Sequence, residues 1–147
     1  MITIQLEGTE QLERRLASLG PHAVPVLAQA MYQDGEQIMA ISKEQYVPVD
    51  FGVLRASGYV EQPEIAAPEI RVTLGYGGAA RDYALVTHEN PRAGKTGGVS
   101  PRGRLYEHWA KVGEWKYLET PFKAASAGML DRWGAFLNQA ITELGRS

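Results

Sequence analysis

The chain has 147 residues, of which 44% are hydrophobic and 22% are charged, and its formal net charge is −2. These values are ordinary for a globular protein, and the length suffices for one core, so we predict a single domain over residues 1–147. The absence of cysteine excludes disulfides and thiolate-bound zinc. No apolar run approaches the roughly 18 residues of a membrane span, and the small net charge gives no general attraction to nucleic acid.

The first third of the chain predicts one strand and two helices. Residues 2–6 alternate between apolar and polar side chains, which indicates a short strand. A short helix is expected over residues 9–18 because Gly20-Pro21 ends it, and a long helix is expected to continue from there to Gln45. The long helix has an apolar stripe at helical spacing, formed by Val24, Leu27, Met31, Ile38 and Ile41.

Two residues inside this long helix depart from the pattern. Asp34 lies in the apolar stripe, so the buried seam is expected to narrow or to open to solvent there. Gly35 costs about 1 kcal/mol relative to alanine in a helix interior. Its presence therefore indicates close packing at that position or a slight bend.

A helix-to-strand corner is predicted where the long helix ends. Pro48 has no N–H and moves the preceding residue away from helical dihedrals, so the helix has to stop before it. Asp50 and Gly52 supply turn chemistry, a side chain that bonds nearby backbone and a residue free to adopt positive φ. From Leu54 the alternation predicts a strand with Arg55 on the opposite face. We expect the Arg55 guanidinium to hold the Asp50 carboxylate across the corner or to make a subunit contact.

The middle of the chain predicts an antiparallel sheet. Residues 70–74 alternate cleanly between apolar and polar side chains, and residues 83–89 form another strand candidate. Together with the strand that starts at Leu54, these segments follow one another with short links, which favours antiparallel pairing. Residues 114–118 are predicted to form a last strand.

A C-terminal helix is predicted from Thr120 onward. Thr120 is expected as its N-cap, and Pro121 occupies the first helical position, where its missing N–H costs nothing. We expect this helix to cover one face of the sheet beside the long helix. The fold class is therefore α+β, a small and mainly antiparallel sheet packed by a long helix and a C-terminal amphipathic helix. The apolar stripe of the C-terminal helix consists of Phe122, Ala125, Met129, Trp133, Phe136, Ala140 and Leu144.

A long extended loop is predicted over residues 90–113, where glycine and proline exclude long regular elements. Residues 90–116 contain six basic and two acidic residues, a net charge of +4, so the remainder of the chain carries −6. A solvated loop, a contact with DNA phosphates and docking on the acidic body of another copy are all compatible with this charge. Aromatic residues beside the arginines favour an interface. The candidate interface residues are Arg92, Lys95, Arg102, Arg104, Tyr106 and Trp109.

A metal-dependent nuclease or hydrolase is an alternative that His88, Glu89 and His108 raise. A metal site needs at least three convergent ligands, and the histidines of this chain show no helical H-x-x-x-H spacing. Polar residues at strand ends account for these side chains more simply. We therefore predict no enzymatic activity, no metal and no cofactor.

Three blocks of the sequence resemble one family. The first is the corner motif P-V-D-x-G-x-L-R-x-S, the second combines Tyr83-Ala84 with His88-Glu89-Asn90, and the third covers residues 116–122. In this order the blocks resemble small structural proteins of tailed bacteriophages, variously described as minor capsid, neck, head–tail joining or tail-completion proteins. The corner motif is carried by Pro48, Val49, Asp50, Gly52, Leu54, Arg55 and Ser57.

The resemblance implies a structural virion protein at the head–tail junction, assembled in the host cytoplasm. It implies a homo-oligomeric ring, with a hexamer or a dodecamer as the expected forms. Its partners would be other copies and the neighbouring connector and tail proteins, with DNA passing through the lumen without sequence-specific binding and with no membrane involved. A nucleic-acid-binding module that uses residues 90–116 is a further alternative, which depends on whether this loop faces a lumen.

Overall fold

The computed structural model describes residues 1–7, 20–49, 52–66, 69–91, 93 and 113–144. Within these residues the architecture is α+β, as the sequence predicts. The strands are β1 (Ile2–Glu7), β2 (Gly58–Val60), β3 (Glu64–Ala66) and β4 (Glu69–Tyr76). The helices are α1 (Ala23–Ile41), α2 (Val53–Ala56), α3 (Arg81–Glu89), α4 (Glu119–Ser126) and α5 (Met129–Leu144). A π-helical turn, Ser42–Tyr46, extends α1, and a 3-10 turn, Gly78–Ala80, precedes α3.

The sheet is antiparallel, and β4 is its central strand. β1 pairs with one edge of β4, and β2 and β3 pair with the other. The register shifts by one residue between the pairs Val60↔Leu74 and Glu64↔Arg71. The three residues 61–63 therefore oppose only two residues of β4, which is the one-residue excess of a β-bulge. The predicted strand over residues 70–74 is confirmed as part of β4.

The core lies between the sheet and α1. Alternate side chains of β4 are buried because one face of the sheet packs against α1. The inward residues of β4 are Ile70, Val72, Leu74 and Tyr76, and those of α1 include Leu27, Met31, Ile38 and Met39. The long predicted helix is thereby confirmed, with its last turn in π geometry.

Both unusual positions of α1 have a structural reason. Asp34 accepts hydrogen bonds from Arg132 Nε and Nη2, each at 3.1 Å, and from Trp133 Nε1 at 2.7 Å. The carboxylate in the apolar stripe therefore forms a hydrogen-bonded link between α1 and α5. Gly35 lies against the sheet, since a Cβ there would be 3.2 Å from Val60 Cγ1 and 3.4 Å from Val72 Cγ1. The prediction of close packing at Gly35 is confirmed.

The C-terminal segment forms two helices, and the prediction of one continuous helix is wrong. α4 begins at Glu119, so Thr120 is inside the helix rather than its N-cap. α4 and α5 are separated by a turn at Ala127 and Gly128, and glycine has weak helix propensity. α5 packs mainly on α1, not on the sheet as expected. Its buried residues are Met129, Trp133 and Leu137, and Phe136 is partly buried against them.

The corner after α1 contains a helical turn, and the strand predicted from Leu54 is wrong at its start. Gly52 adopts positive φ (79°), as expected, but the next four residues form α2 and the strand begins only at Gly58. Leu54 is buried, and Arg55 is exposed on a helix rather than on a strand face. The Ser57 hydroxyl donates to the Leu54 carbonyl oxygen at 2.7 Å and so closes the turn. Asp50, the expected partner of Arg55, is outside the described residues.

The segment predicted as a strand over residues 83–89 is helix α3. Its buried side chains are Ala84, Thr87 and His88, and together with the buried Ala80 they recur at helical spacing. Asp82 lies in the first turn, where a negative charge is favourable. A nine-residue segment with few large apolar residues fits both the strand period of two and the helical period of 3.6. Its packing on the rest of the domain decides between strand and helix.

The last predicted strand, over residues 114–118, is also wrong. Gly113 and Lys116 both have positive φ, at 79° and 56°, which is incompatible with an extended strand. Only one bridge forms, from the Glu114 N–H to the Tyr46 carbonyl oxygen at 2.7 Å. The chain then turns directly into α4, with the Thr120 N–H donating to the Lys116 carbonyl oxygen at 2.8 Å.

Some predictions concern residues that the structure does not describe. These are the short helix over residues 9–18, the loop except for its ends, and all six candidate interface residues, Arg92, Lys95, Arg102, Arg104, Tyr106 and Trp109. Among the described helices, none combines the length and the apolar character needed to cross a bilayer.

Candidate functional site: a polar cluster at the base of the basic segment

Four polar residues meet where α3 ends and α4 begins. His88 Nδ1 lies 2.7 Å from Glu89 Oε1, and His88 Nε2 accepts the Glu119 N–H at 3.3 Å. The Lys116 ammonium lies 2.6 Å from Glu89 Oε2 and 2.9 Å from Glu119 Oε2. These contacts join residues from both sides of the basic segment, which we define as residues 92–112. The cluster therefore fastens the residues before that segment to the residues after it.

His88 is buried, and both of its ring nitrogens have partners. Since Nε2 accepts a backbone N–H, the proton of the neutral ring has to be on Nδ1, which donates to Glu89. The ring packs edge-on against Tyr117, with 4.9 Å between ring centroids. Burial lowers the pKa of His88 below its usual 6.5, and the neighbouring Glu89 carboxylate opposes that change. The fold thus holds this histidine in its neutral form.

The acidic members of the cluster are stabilised in their charged form. Hydrogen bonds from Lys123 and Lys116 lower the pKa of Glu119 to about 2. Hydrogen bonds from Lys116 and His88 lower the pKa of Glu89. The same two carboxylates raise the pKa of Lys116, and its ammonium also lies 5.7 Å from the centre of the Trp115 ring.

The backbone of Lys116 is part of the connection. Its φ of 56° is in the left-handed region, which is uncommon for a residue with a side chain. In this conformation its N–H donates to the His88 carbonyl oxygen at 2.8 Å while its ammonium reaches both carboxylates. The strained dihedral is therefore retained because the surrounding bonds determine it.

A buried hydrogen-bond network supports the cluster from the core. The Ser42 hydroxyl donates to the Tyr117 carbonyl oxygen at 2.6 Å, and it lies 2.7 Å from the Tyr76 hydroxyl. Since Ser42 has one hydroxyl proton, Tyr76 must donate to Ser42. The Tyr117 hydroxyl donates to the Ala84 carbonyl oxygen at 2.6 Å. Burial raises the pKa of Tyr76 to about 12, and the Arg55 charge opposes that change. The network joins the π turn after α1, β4 and α3 to the segment that carries Lys116.

The corner after α1 contacts the same segment. A Cβ at Gly113 would lie 2.5 Å from Pro48 Cα and 2.5 Å from Pro48 N, so only glycine fits there. Pro48 is buried, and the neighbouring Glu114–Tyr46 bridge fixes the approach. Pro48 of the corner motif therefore packs against Gly113, which directly follows the basic segment.

The cluster is a poor metal site in this arrangement. His88, Glu89 and Glu119 each bring a ligand atom within 4.8 Å of the others, which is close enough for a shared cation. However, the Lys116 ammonium already lies between the two carboxylates, and both nitrogens of His88 have partners. A metal would have to displace Lys116 and break two hydrogen bonds of the histidine. The arrangement is suited to linking α3 to α4.

The sequence analysis anticipated only part of this site. His88 and Glu89 were candidates, and they do belong to one cluster, but His108 is outside the described residues. Glu119 and Lys116 were missed as site residues. The i,i+4 spacing of Glu119 and Lys123 was a usable signal for part of the site, because such positions are neighbours on one helical face. No helical spacing indicates Lys116, which precedes α4 with a left-handed φ. Comparison with family models, with curated proteins and with solved structures found no match for this chain.

The cluster predicts a loss of stability in mild acid. Because the folded state lowers the pKa of His88, the stability from its neutral form is present above pH 6.5 and is lost as the pH falls through the lowered value. Urea unfolding between pH 7.5 and 5 should therefore show a decreasing free energy of unfolding. A further decrease is expected below about pH 4.5, where Glu89 and Glu119 begin to be protonated in the unfolded chain.

Two variants separate His88 from the other groups. His88→Gln removes the titration, so its free energy of unfolding should be lower at pH 7.5 but should change less between pH 7.5 and 5. His22→Gln is the matched control, since His22 is exposed in the turn before α1. It should retain the wild-type pH dependence. If the free energy of unfolding of His88→Gln fell between pH 7.5 and 5 as steeply as that of the wild type, the attribution of this pH dependence to His88 would be wrong.

Proposed function

We propose that this protein is a structural virion component of a tailed bacteriophage, present as a ring of copies at the head–tail junction. The observation that carries the proposal is the fastening of the residues that flank the basic segment on both sides. The polar cluster ties Glu89 to Lys116, the Tyr117 network anchors Lys116 to the core, and Gly113 packs on Pro48. A framework built to hold the ends of a charged segment is suited to presenting that segment to a partner.

The charge distribution supports contact between copies. Residues 90–116 carry a net charge of +4, and the rest of the chain carries −6. Opposite charges on different parts of one chain favour association of one copy with the next. The sequence resemblance to neck and tail-completion proteins indicates the place of such a ring and its other partners, the neighbouring connector and tail proteins. DNA would pass through the lumen of the ring without sequence-specific binding.

The proposed role needs no catalysis. The His88 cluster has the contacts of a structural link, and the Ser57 hydroxyl donates to the backbone carbonyl oxygen of Leu54. We accordingly propose that neither a metal nor another cofactor is required. The ring would act through rigid geometry and through the segments that contact its neighbours.

The basic segment supplies the test. A variant that lacks residues 94–103 should keep the melting temperature within a few degrees, because this stretch contains four glycines and a single large apolar residue, Val99. The same variant should fail to enter phage particles when it is the only copy supplied. Mass spectrometry of purified particles would measure incorporation of the variant. Electron microscopy of particles with a labelled wild-type chain would show whether the chain lies at the neck.

The deletion changes both the length and the charge of the segment, so a variant that changes only the charge is its matched control. Lys95→Gln combined with Arg102→Gln removes two positive charges without shortening the chain. It should weaken incorporation in the same direction, and less than the deletion does. A deletion variant that is incorporated as well as the wild type would exclude the segment as an interface, and absence of the wild-type chain from purified particles would contradict the proposed function.

A further inference from the structure

His88 takes the place of an N-cap for helix α4. The Glu119 N–H at the start of α4 donates to His88 Nε2 at 3.3 Å. The next residues of the helix are arranged differently, since the N–H groups of Thr120 and Phe122 donate to backbone carbonyl oxygens one turn earlier and Pro121 has no N–H. The residue before α4 provides no side-chain cap. A side chain of α3 therefore satisfies a donor for which the helix itself has no partner.

The two hydrogen bonds of His88 respond differently to a proton. The bond from Nδ1 to Glu89, at 2.7 Å, is kept when the ring becomes positive, and the charge strengthens it. Nε2 accepts the Glu119 N–H, so two donors face each other once Nε2 carries a proton. The start of α4 is also the positive end of the helix dipole, which disfavours a cation there. The charged ring is therefore compatible with the contact to Glu89 and incompatible with the contact to α4.

The charges around His88 balance while its ring is neutral. Glu89 and Glu119 contribute two negative charges, and Lys116 and Lys123, which bond them, contribute two positive charges. Hydrogen bonds from these lysines lower the pKa of both carboxylates from the usual 4.5. The carboxylates therefore stay charged between pH 7.5 and 5. In this range His88 is the group at the contact between α3 and α4 that gains a proton, and the proton adds an unbalanced positive charge.

The imidazole is closed off from water. It is 4% exposed, the Tyr117 ring packs edge-on against it, and the Tyr117 hydroxyl donates to the Ala84 carbonyl oxygen. A proton on Nε2 therefore finds a water acceptor only when the first turn of α4 moves away. Such a movement also frees Lys116 from its left-handed φ of 56°, which the bonds of the cluster maintain.

We propose that protonation of His88 opens the contact between α3 and the start of α4 while the sheet and α1 remain folded. The sheet and α1 pack on each other through residues other than His88 and Glu119. Local opening therefore needs less free energy than unfolding of the domain. His88 acts as a pH-dependent cap, closed when its ring is neutral and open when it is charged. This conformational change does not depend on the proposed ring of copies.

Hydrogen exchange at the Glu119 amide tests the proposal on the full chain. NMR measures the opening constant of this amide between pH 7.5 and 5, and urea unfolding measures the unfolding constant of the domain over the same range. The Glu119 amide should open at least about tenfold more readily than the domain unfolds. Because His88 in the open state has its usual pKa of 6.5, the opening constant should rise by up to about tenfold per pH unit below 6.5, until the pH reaches the lowered value.

Two variants and one further measurement complete the test. His88→Gln cannot gain a proton, so its Glu119 opening constant should not change between pH 7.5 and 5. His22→Gln, in the exposed turn before α1, should keep the wild-type pH dependence. The ¹⁵N chemical shifts of the wild-type imidazole need no variant, and at pH 7.5 they should show the proton of His88 on Nδ1.

Three results would overturn the proposal. If the Glu119 amide of the wild type opens no more readily than the domain unfolds, the contact is lost only with the whole fold. If its opening constant is independent of pH, or depends on pH equally in His88→Gln, the proton acts elsewhere. A His88 proton on Nε2 at pH 7.5 would show that the ring does not cap α4.

Discussion

Replacement of Trp133 by alanine is expected to lower the free energy of unfolding by about 3–5 kcal/mol. Trp133 is 3% exposed and packs in the core beneath α5. Its Nε1 donates to Asp34 at 2.7 Å, so the variant leaves a cavity and also weakens the connection between α5 and α1. The expected loss is a large part of the roughly 5–15 kcal/mol that a domain of this size possesses.

Urea unfolding followed by far-ultraviolet circular dichroism measures this loss. Trp133→Phe keeps an aromatic ring but removes the hydrogen bond to Asp34, so it should lie between the wild type and Trp133→Ala. Leu130→Ala is the surface control on the same helix and should change the free energy of unfolding by less than about 0.5 kcal/mol. Equal stability of Trp133→Ala and the wild type would place α5 outside the cooperative fold.

Replacement of Tyr117 by alanine is the second change with a large expected effect, also about 3–5 kcal/mol. Tyr117 is fully buried, and its ring lies edge-on to Tyr76 at 5.0 Å and to His88 at 4.9 Å. Its hydroxyl donates to the Ala84 carbonyl oxygen at 2.6 Å. The variant should therefore destabilise α3 and the polar cluster together.

Tyr117→Phe separates ring packing from the hydrogen bond. It should cost only about 1 kcal/mol, the typical net contribution of one hydrogen bond. NMR titration adds a local measurement, because water that reaches His88 in Tyr117→Ala should return its pKa toward 6.5. If the His88 pKa were the same in both variants and in the wild type, Tyr117 would not be the group that excludes water from the cluster.

Trp133→Ala and Tyr117→Ala affect different parts of the structure. Trp133 joins α5 to α1, so its replacement should lower the stability of the whole domain. It should have no specific effect on the residues that flank the basic segment. Tyr117 packs against His88, which precedes that segment, and directly follows Lys116, which comes after it. In the proposed ring, a change at Tyr117 should therefore impair assembly more than a change of equal thermodynamic cost at Trp133.

Local patterns in the sequence were sufficient for the framework. The alternation of residues 70–74 predicts β4 because a strand with one buried face needs a period of two. The long stripe of α1 extends over enough turns to exclude a strand. Gly52 adopts the positive φ that its place in the corner predicts, and Gly35 marks the close approach of α1 to the sheet. Each of these features depends on residues that are near one another in the chain.

The tertiary structure decided the rest. The segment over residues 83–89 fits a strand and a helix equally in sequence, and it is helical because Ala84, Thr87 and His88 are buried together beside Tyr117. The polar cluster joins His88 to Glu119, which is 31 residues further along the chain. No local period encodes such a contact, since it exists only when the core brings the end of α3 to the start of α4. The residues that hold the basic segment were therefore visible in the sequence individually, and their association required the packed structure.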